Sequence, residues 1–272
     1  MTGRMRVGTA LVAGLLGFAA QASAQIPGMP LFTNPRYGTG LRVHADLGQS
    51  VDSGTALTAS TVVQAGASLA LGPIGLNAMV GMLKNDVSEA QTCVDHPTLD
   101  CKDKTISASL LGQLRLAGGG RSNLSMSVFG GAAMTVKAAE FADLTAAQKA
   151  ELGITDAKAL TVPVGLAVGL RIPLGLASLN IWGAPRMNLT RWVNCTVSCP
   201  ENKATFRWAV GADLPIFSIL SVRASFDSGK IRNAAGQDVT NNYWGIGASI
   251  GLGGMRSERQ GTDAKAPGNE GG

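Results

Sequence analysis

Apolar residues recur at every second position in ten separate stretches of this chain. That period belongs to a β-strand with two unlike faces. In 39–48, Leu41, Val43, Ala45 and Leu47 point one way while Arg42, His44 and Asp46 point the other. In 61–71, Val63, Ala65, Ala67, Leu69 and Leu71 alternate with Gln64, Gly66 and Ser68. The third run, 75–83, carries Leu76, Ala78, Val80 and Met82 on its apolar face. Next, Ile106, Ala108, Leu110, Leu114 and Leu116 oppose Ser107, Ser109, Gln113 and Arg115, and Leu124, Met126 and Val128 oppose Ser125 and Ser127. The sixth run sets Leu160, Val162, Val164, Leu166, Val168, Leu170 and Ile172 on one face. The seventh has Leu179, Ile181, Met187 and Leu189 against Asn180, Arg186, Asn188 and Thr190. The eighth pairs Phe206, Trp208, Val210, Ala212 and Leu214 with Arg207, Gly211 and Asp213. The last two are Leu220, Val222, Ala224 and Phe226 against Arg223, Ser225 and Asp227, then Trp244, Ile246, Ala248, Ile250 and Leu252 against Tyr243, Gly245, Gly247, Ser249 and Gly251.

The connections alternate in length. Those near 72–74, 118–122, 173–176 and 215–218 are short; those near 49–60, 84–104, 138–158, 192–203 and 228–240 are long. Antiparallel hairpins produce this rhythm, and ten strands is the expected count, with eight or twelve as other groupings. Pro163 and Pro185 fall inside runs, where a missing N–H predicts bulges or displaced strand ends. One long connection, 143–152, has an N-cap Asp and helix-forming residues, so a short helix is expected there.

Charge changes the picture from a soluble sheet to a membrane one. Every Lys falls in a connection, at its margin or in the tail, whereas Arg42, Arg115, Arg171, Arg186, Arg207 and Arg223 sit within the runs on the less apolar face. That face is otherwise Gly, Ser, Ala and Asn, which suits a narrow interior, and the opposite face suits lipid. Charged residues make up 15% of the chain, against about 25% in an average soluble domain.

Residues 1–24 carry the marks of an export signal: Arg4 and Arg6, an apolar run from Val7 to Ala20, and Ala22-Ser23-Ala24 as a cleavage site. Removing them leaves 21 basic against 18 acidic side chains, a net charge too mild to imply nucleic acid. No later stretch reaches the length of an apolar helical span, so a membrane protein of this sequence must be a closed barrel. Residues 25–38 are expected to form a periplasmic N-terminal segment, 39–252 the barrel and 253–272 a disordered polar tail.

Over 39–252 the chain resembles bacterial outer-membrane β-barrel proteins of the small, single-chain kind, on the alternation and the short–long connections described above. The resemblance implies an all-β, antiparallel, up-and-down transmembrane barrel with porin-like features. Its partners would be the outer-membrane lipid bilayer and, during biogenesis, the barrel-assembly machinery. That family usually ends on an aromatic residue; this chain continues past Leu252. An outer-rim aromatic belt of Trp192, Phe206, Trp208, Phe226, Tyr243 and Trp244 is expected, with Trp182 inside.

Four residue sets could carry chemistry. Cys93 with Cys101, and Cys195 with Cys199, lie in two long connections. In an oxidising compartment they are disulfide candidates, three connectivities being possible. A metal site built from them with His96 is the weaker reading, and neither a metal nor a cofactor is expected. His44 and Asp46 share a face and read as a charge pair before an acid–base pair, so no enzyme activity is expected. The six inward Arg outnumber the inward acids Asp46, Asp213 and Asp227. The excess points to a narrow anion-leaning pore, or the same groups form a salt-bridge network in a closed structural barrel. A surface-binding or adhesive protein acting through stiffened loops is the alternative of a different class.

Overall fold

A computed structural model of the chain describes residues 34–35, 40–51, 61–86, 102–118, 122–137, 158–175, 177–193, 203–216, 219–232 and 238–252. Ten strands follow in order: β1 (Gly40–Val51), β2 (Thr61–Leu71), β3 (Ile74–Asp86), β4 (Lys102–Ala117), β5 (Leu124–Lys137), β6 (Lys158–Leu174), β7 (Ala177–Val193), β8 (Lys203–Pro215), β9 (Leu220–Arg232) and β10 (Asp238–Gly251). Each strand pairs antiparallel with its sequence neighbours, and β10 pairs with β1 from Arg42–Gly251 to Val51–Asn242. The sheet is therefore a closed up-and-down barrel, and every strand has a partner on both sides.

The expected faces are those observed. The large apolar side chains of the runs stand on the outside, with Val80 59% and Leu110 58% exposed. Buried polar residues, including Gln64, Ser107, Ser109, Ser125, Ser127, Asn188, Ser221 and Ser249, stand on the inside. A water-soluble sheet reverses this order; an apolar exterior around a polar interior is the arrangement of a barrel that faces lipid.

The two prolines act differently from the sequence expectation. β5 and β6 pair at Gly130–Val164 and again at Ala133–Thr161, and the ladder skips the pairs between, where Pro163 lies. β6 and β7 skip likewise between Gly165–Arg186 and Val168–Gly183, beside Pro185. The register resumes unchanged each time, so each proline removes a local piece of ladder without a bulge or a strand end. The shifts in register lie instead between β4 and β5, at Ile106/Ser107 and Arg115/Ala117.

Strand ends also move. β5 continues to Lys137 although its alternation is legible only to Val128, because Gly130, Gly131, Ala132 and Ala133 do not distinguish one face from the other. β9 and β10 extend toward each other, so the stretch between them is 233–237, not the long connection expected over 228–240. The short turns begin with Gly72, Gly118 and Gly175, all at positive φ, where other residues would be strained. The short turns and the two chain termini of the barrel share one end, here the short-turn end. Residues 143–152, with their expected helix, lie outside the described residues, as do 1–24, 25–33, 36–39 and 253–272.

Candidate functional site

The lumen is the site to examine, since the sequence places its chemistry there. Two ion-pair clusters line its wall. In the first, Arg223 on β9 grips Asp46 on β1: Nε donates to Oδ1 at 2.8 Å, and Nη2 donates to Oδ1 at 2.6 Å and to Oδ2 at 2.7 Å. His44 Nδ1 and Gln64 Nε2 each lie 3.3 Å from Asp46 Oδ2, and His44 Nε2 lies 3.3 Å from Asn77 Oδ1. His44 is thus held on both ring nitrogens by polar side chains, as a buried structural histidine requires. The charge pair expected for His44 and Asp46 is a corner of this larger cluster.

In the second cluster, two guanidinium groups share one carboxylate. Arg207 donates to Asp227 Oδ1 from Nε at 2.9 Å and from Nη2 at 2.5 Å. Arg186 Nη2 lies 2.5 Å from Asp227 Oδ2. Arg186 is 2% exposed, Arg207 1% and Asp227 0%. Buried charges persist only when paired, and here the pairing is two against one.

The third acid, Asp213, accepts a hydrogen bond from Asn34 Nδ2 and lies within electrostatic reach of Arg42 and Arg223. Asn34 precedes the barrel, yet it lies inside it: Gln113 Nε2 on β4 donates to its backbone oxygen at 3.2 Å. Pro35 is buried beside Gly169, where an added Cβ would meet its ring at 2.8 Å. β4 and β8 stand on nearly opposite walls, so Asn34–Pro35 spans the lumen near the short-turn end. Nothing in the sequence marks this pair, because no local pattern records where a segment outside the strands comes to rest.

Close packing inside comes from one rule of register. Trp182 pairs with Gly211, Phe129 and Arg186 with Gly165, Arg207 with Gly229, Asp46 with Gly247 and His44 with Gly66. In each case a Cβ added to the glycine would collide with the bulky partner. Large inward side chains fit because the neighbouring strand offers a recess. The structure thus brings Arg186, Arg207, Arg223, Asp46 and Asp227 into pairs along the inner wall, between strands that are adjacent or separated by one. Arg42 and Arg115 are half-buried on the inner face, whereas Arg171, although of inward parity, is exposed at the short-turn rim.

The aromatic residues divide. Phe206, Trp208 and Trp244 face outward, and Trp208 and Phe226 meet with ring centroids 5.7 Å apart. Tyr243 is 0% exposed inside the barrel, so it is not part of the belt; its odd position in β10 puts it on the lumen side. Trp182 is inside, as parity required. The side chain of Trp192 lies outside the described residues, as do Cys93, Cys101, Cys195, Cys199 and His96. No group of three or more potential metal ligands occurs among the described residues.

No known protein-family model and no curated sequence matches the chain. Solved structures similar to it include the translocator domain of autotransporter NalP from Neisseria meningitidis, at 15% identity and a TM-score of 0.39, covering 78% of this chain and 88% of that one. NanC porin is similar at 8% identity and a TM-score of 0.42, covering 77% and 100%. An outer membrane channel from Pseudomonas putida F1 is similar at 10% identity and a TM-score of 0.42, covering 80% and 97%. At these levels of similarity the functional reading rests on the residues of the barrel itself.

Proposed function

We propose that the chain is a small bacterial outer-membrane β-barrel that is closed, serving as a structural element of that membrane and not as an open pore. The observation that carries this reading is the sealing of the middle of the lumen. Arg186, Arg207, Asp227, Asp46, Tyr243, Val62 and Leu83 project inward with at most 2% exposure. Water filling a channel would wet such side chains. Barrels of about eight strands are filled by their own side chains, and ten is only slightly wider. An outer-membrane site is supported by the apolar exterior, the polar interior and the export signal read in residues 1–24.

A narrow anion-leaning pore is the second reading, favoured by the excess of inward Arg over inward Asp. Planar-bilayer recording separates the two. The purified protein is expected to insert with no stable single-channel current. A large, steady conductance would overturn the closed barrel, and loss of anion preference on neutralising Arg186 and Arg223 would then establish the pore. The adhesive reading turns on Cys93, Cys101, Cys195, Cys199 and the connections around them, and surface-binding assays with and without reductant address it.

A further inference from the structure

Among the described residues, the outer face of the barrel is charged at one end only. At the long-connection end, Lys84 on β3, Lys158 on β6, Arg191 on β7 and Lys230 on β9 share the face of the apolar runs in their strands, as does Lys104 on β4. Lys158 is half-buried and the others are exposed. At the short-turn end that face stays apolar up to the turns, through Leu71, Ile74, Leu116 and Leu174, and no described charged side chain shares it. Lys84 and Lys104 are direct register partners, where like charges repel unless an anion lies between them. Lys104 has another interaction of its own. The other four make no ion pair among the described residues. Asp86 and Asp238, acids at the same strand ends, are in register with Lys102 and Arg232 instead.

We propose that this collar is a binding surface for phosphate-bearing lipid headgroups in the leaflet that surrounds the long-connection end. The cations stand on the outer face at the margin of the apolar band, so what they meet is the membrane interface and not the lumen. They are spread over β3, β6, β7 and β9 and do not converge on one point. Such a set does not cage a single soluble ion, whereas a lipid perimeter brings a separate phosphate to each cation. Arg191 can take two phosphate oxygens at once, and the ammonium groups act as point charges on flexible stems. Phe226 and Trp244, register partners on the outer face, mark the level of the interface. Lys230 follows Phe226 by four residues on the same face, toward the long connections. The surface lies outside the lumen, so the inference holds whether the barrel conducts or not.

The test uses the full chain in phosphatidylcholine vesicles that contain a minor fraction of phosphatidic acid, with brominated forms of each lipid as quenchers of tryptophan fluorescence. Trp208 and Trp244 face the lipid below the collar and report on it. At equal bromine content, brominated phosphatidic acid is expected to quench more than brominated phosphatidylcholine, with an enrichment of about fivefold that falls as salt rises. Lys84→Gln, Lys158→Gln, Arg191→Gln and Lys230→Gln together should bring the two lipids close to parity while leaving the barrel's circular dichroism unchanged. The single changes Lys84→Gln and Arg191→Gln, at exposed positions, should each remove part of the preference, and Arg191→Lys should keep most of it. Equal quenching of the wild-type protein by both lipids would overturn the collar. The long connections at this end carry acids as well, from Asp52 to Glu201. If those acids occupied the cations, the combined variant would keep the wild-type preference, and that result overturns the proposal. Loss of the preference on adding inorganic phosphate at matched ionic strength would assign the cations to a soluble ion and overturn it too.

Discussion

Asp227 is the residue on which the centre of the lumen turns. It faces Arg186 and Arg207, both fully buried, and its carboxylate is bonded by both of them. Asp227→Asn should therefore destabilise the barrel by about 3–5 kcal/mol, because it removes the charge that two buried guanidinium groups share. Urea unfolding in detergent measures this, and a loss under about 1 kcal/mol would mean that water reaches the cluster. Conductance should stay near zero, since the side chains that fill the space remain. The glycine recesses make a second prediction at this scale. Gly211→Ala pushes a methyl group into the Trp182 ring and should cost about 1–3 kcal/mol. Replacing Trp182 by Phe in the same chain should recover much of that loss, because neighbouring sites in contact are not additive. That Gly and Ser populate the inner face was legible from alternation. Which bulky residue each glycine receives was not, because that depends on the stagger between strands, which the sequence of one strand does not contain.

Among the elements, the lipid-facing strands invite a depth-dependent test. Val164 on β6 and Val210 on β8 are exposed on the outer face well inside their strands. Changing either to Arg should cost about 2–4 kcal/mol in a folding assay into bilayers, against about 0–1 kcal/mol for Leu71→Arg beside the Gly72-Pro73 turn. Equal costs at both depths would mean that the apolar band is not centred on these strands. The connections carry a further expectation. Digestion under non-reducing conditions, followed by mass spectrometry, should recover Cys93 joined to Cys101 and Cys195 to Cys199. Strand existence was readable wherever branched and aromatic residues alternated with Ser, Asn or Arg. It faded in β5, where Gly130 to Ala133 look alike on both faces, and at the polar ends of β3, β4 and β9. There the strand outlasts the lipid, and no apolar period remains to mark it.

Viewed whole, the barrel is electrically sorted from end to end. The lysines of the described residues, Lys84, Lys102, Lys104, Lys137, Lys158, Lys203 and Lys230, lie toward strand ends away from the short turns, and Lys84 pairs directly with Lys104 across β3 and β4. The arginines of the short-turn end face inward instead. If the long connections face the cell exterior, a membrane-impermeant amine reagent applied to intact cells should label Lys84, Lys104 and Lys230. Labelling only after lysis would reverse the orientation. The topology holds one more consequence, in the seam between β1 and β10. These two strands are the first and last of the barrel to be synthesised, and Arg42 must find Gly251 across nearly its whole sequence. Until they meet, the sheet has two free edges whose N–H and C=O groups can be satisfied neither by lipid nor by each other. Closure is thus a search over the longest contour the barrel offers, the kind of contact that slows folding most. A Pro placed in β10 opposite Leu47, at Ile246, removes one donor from the seam and should lengthen the unclosed, protease-sensitive phase of folding. The step that makes the molecule edgeless is then also the step at which its biogenesis is most easily arrested.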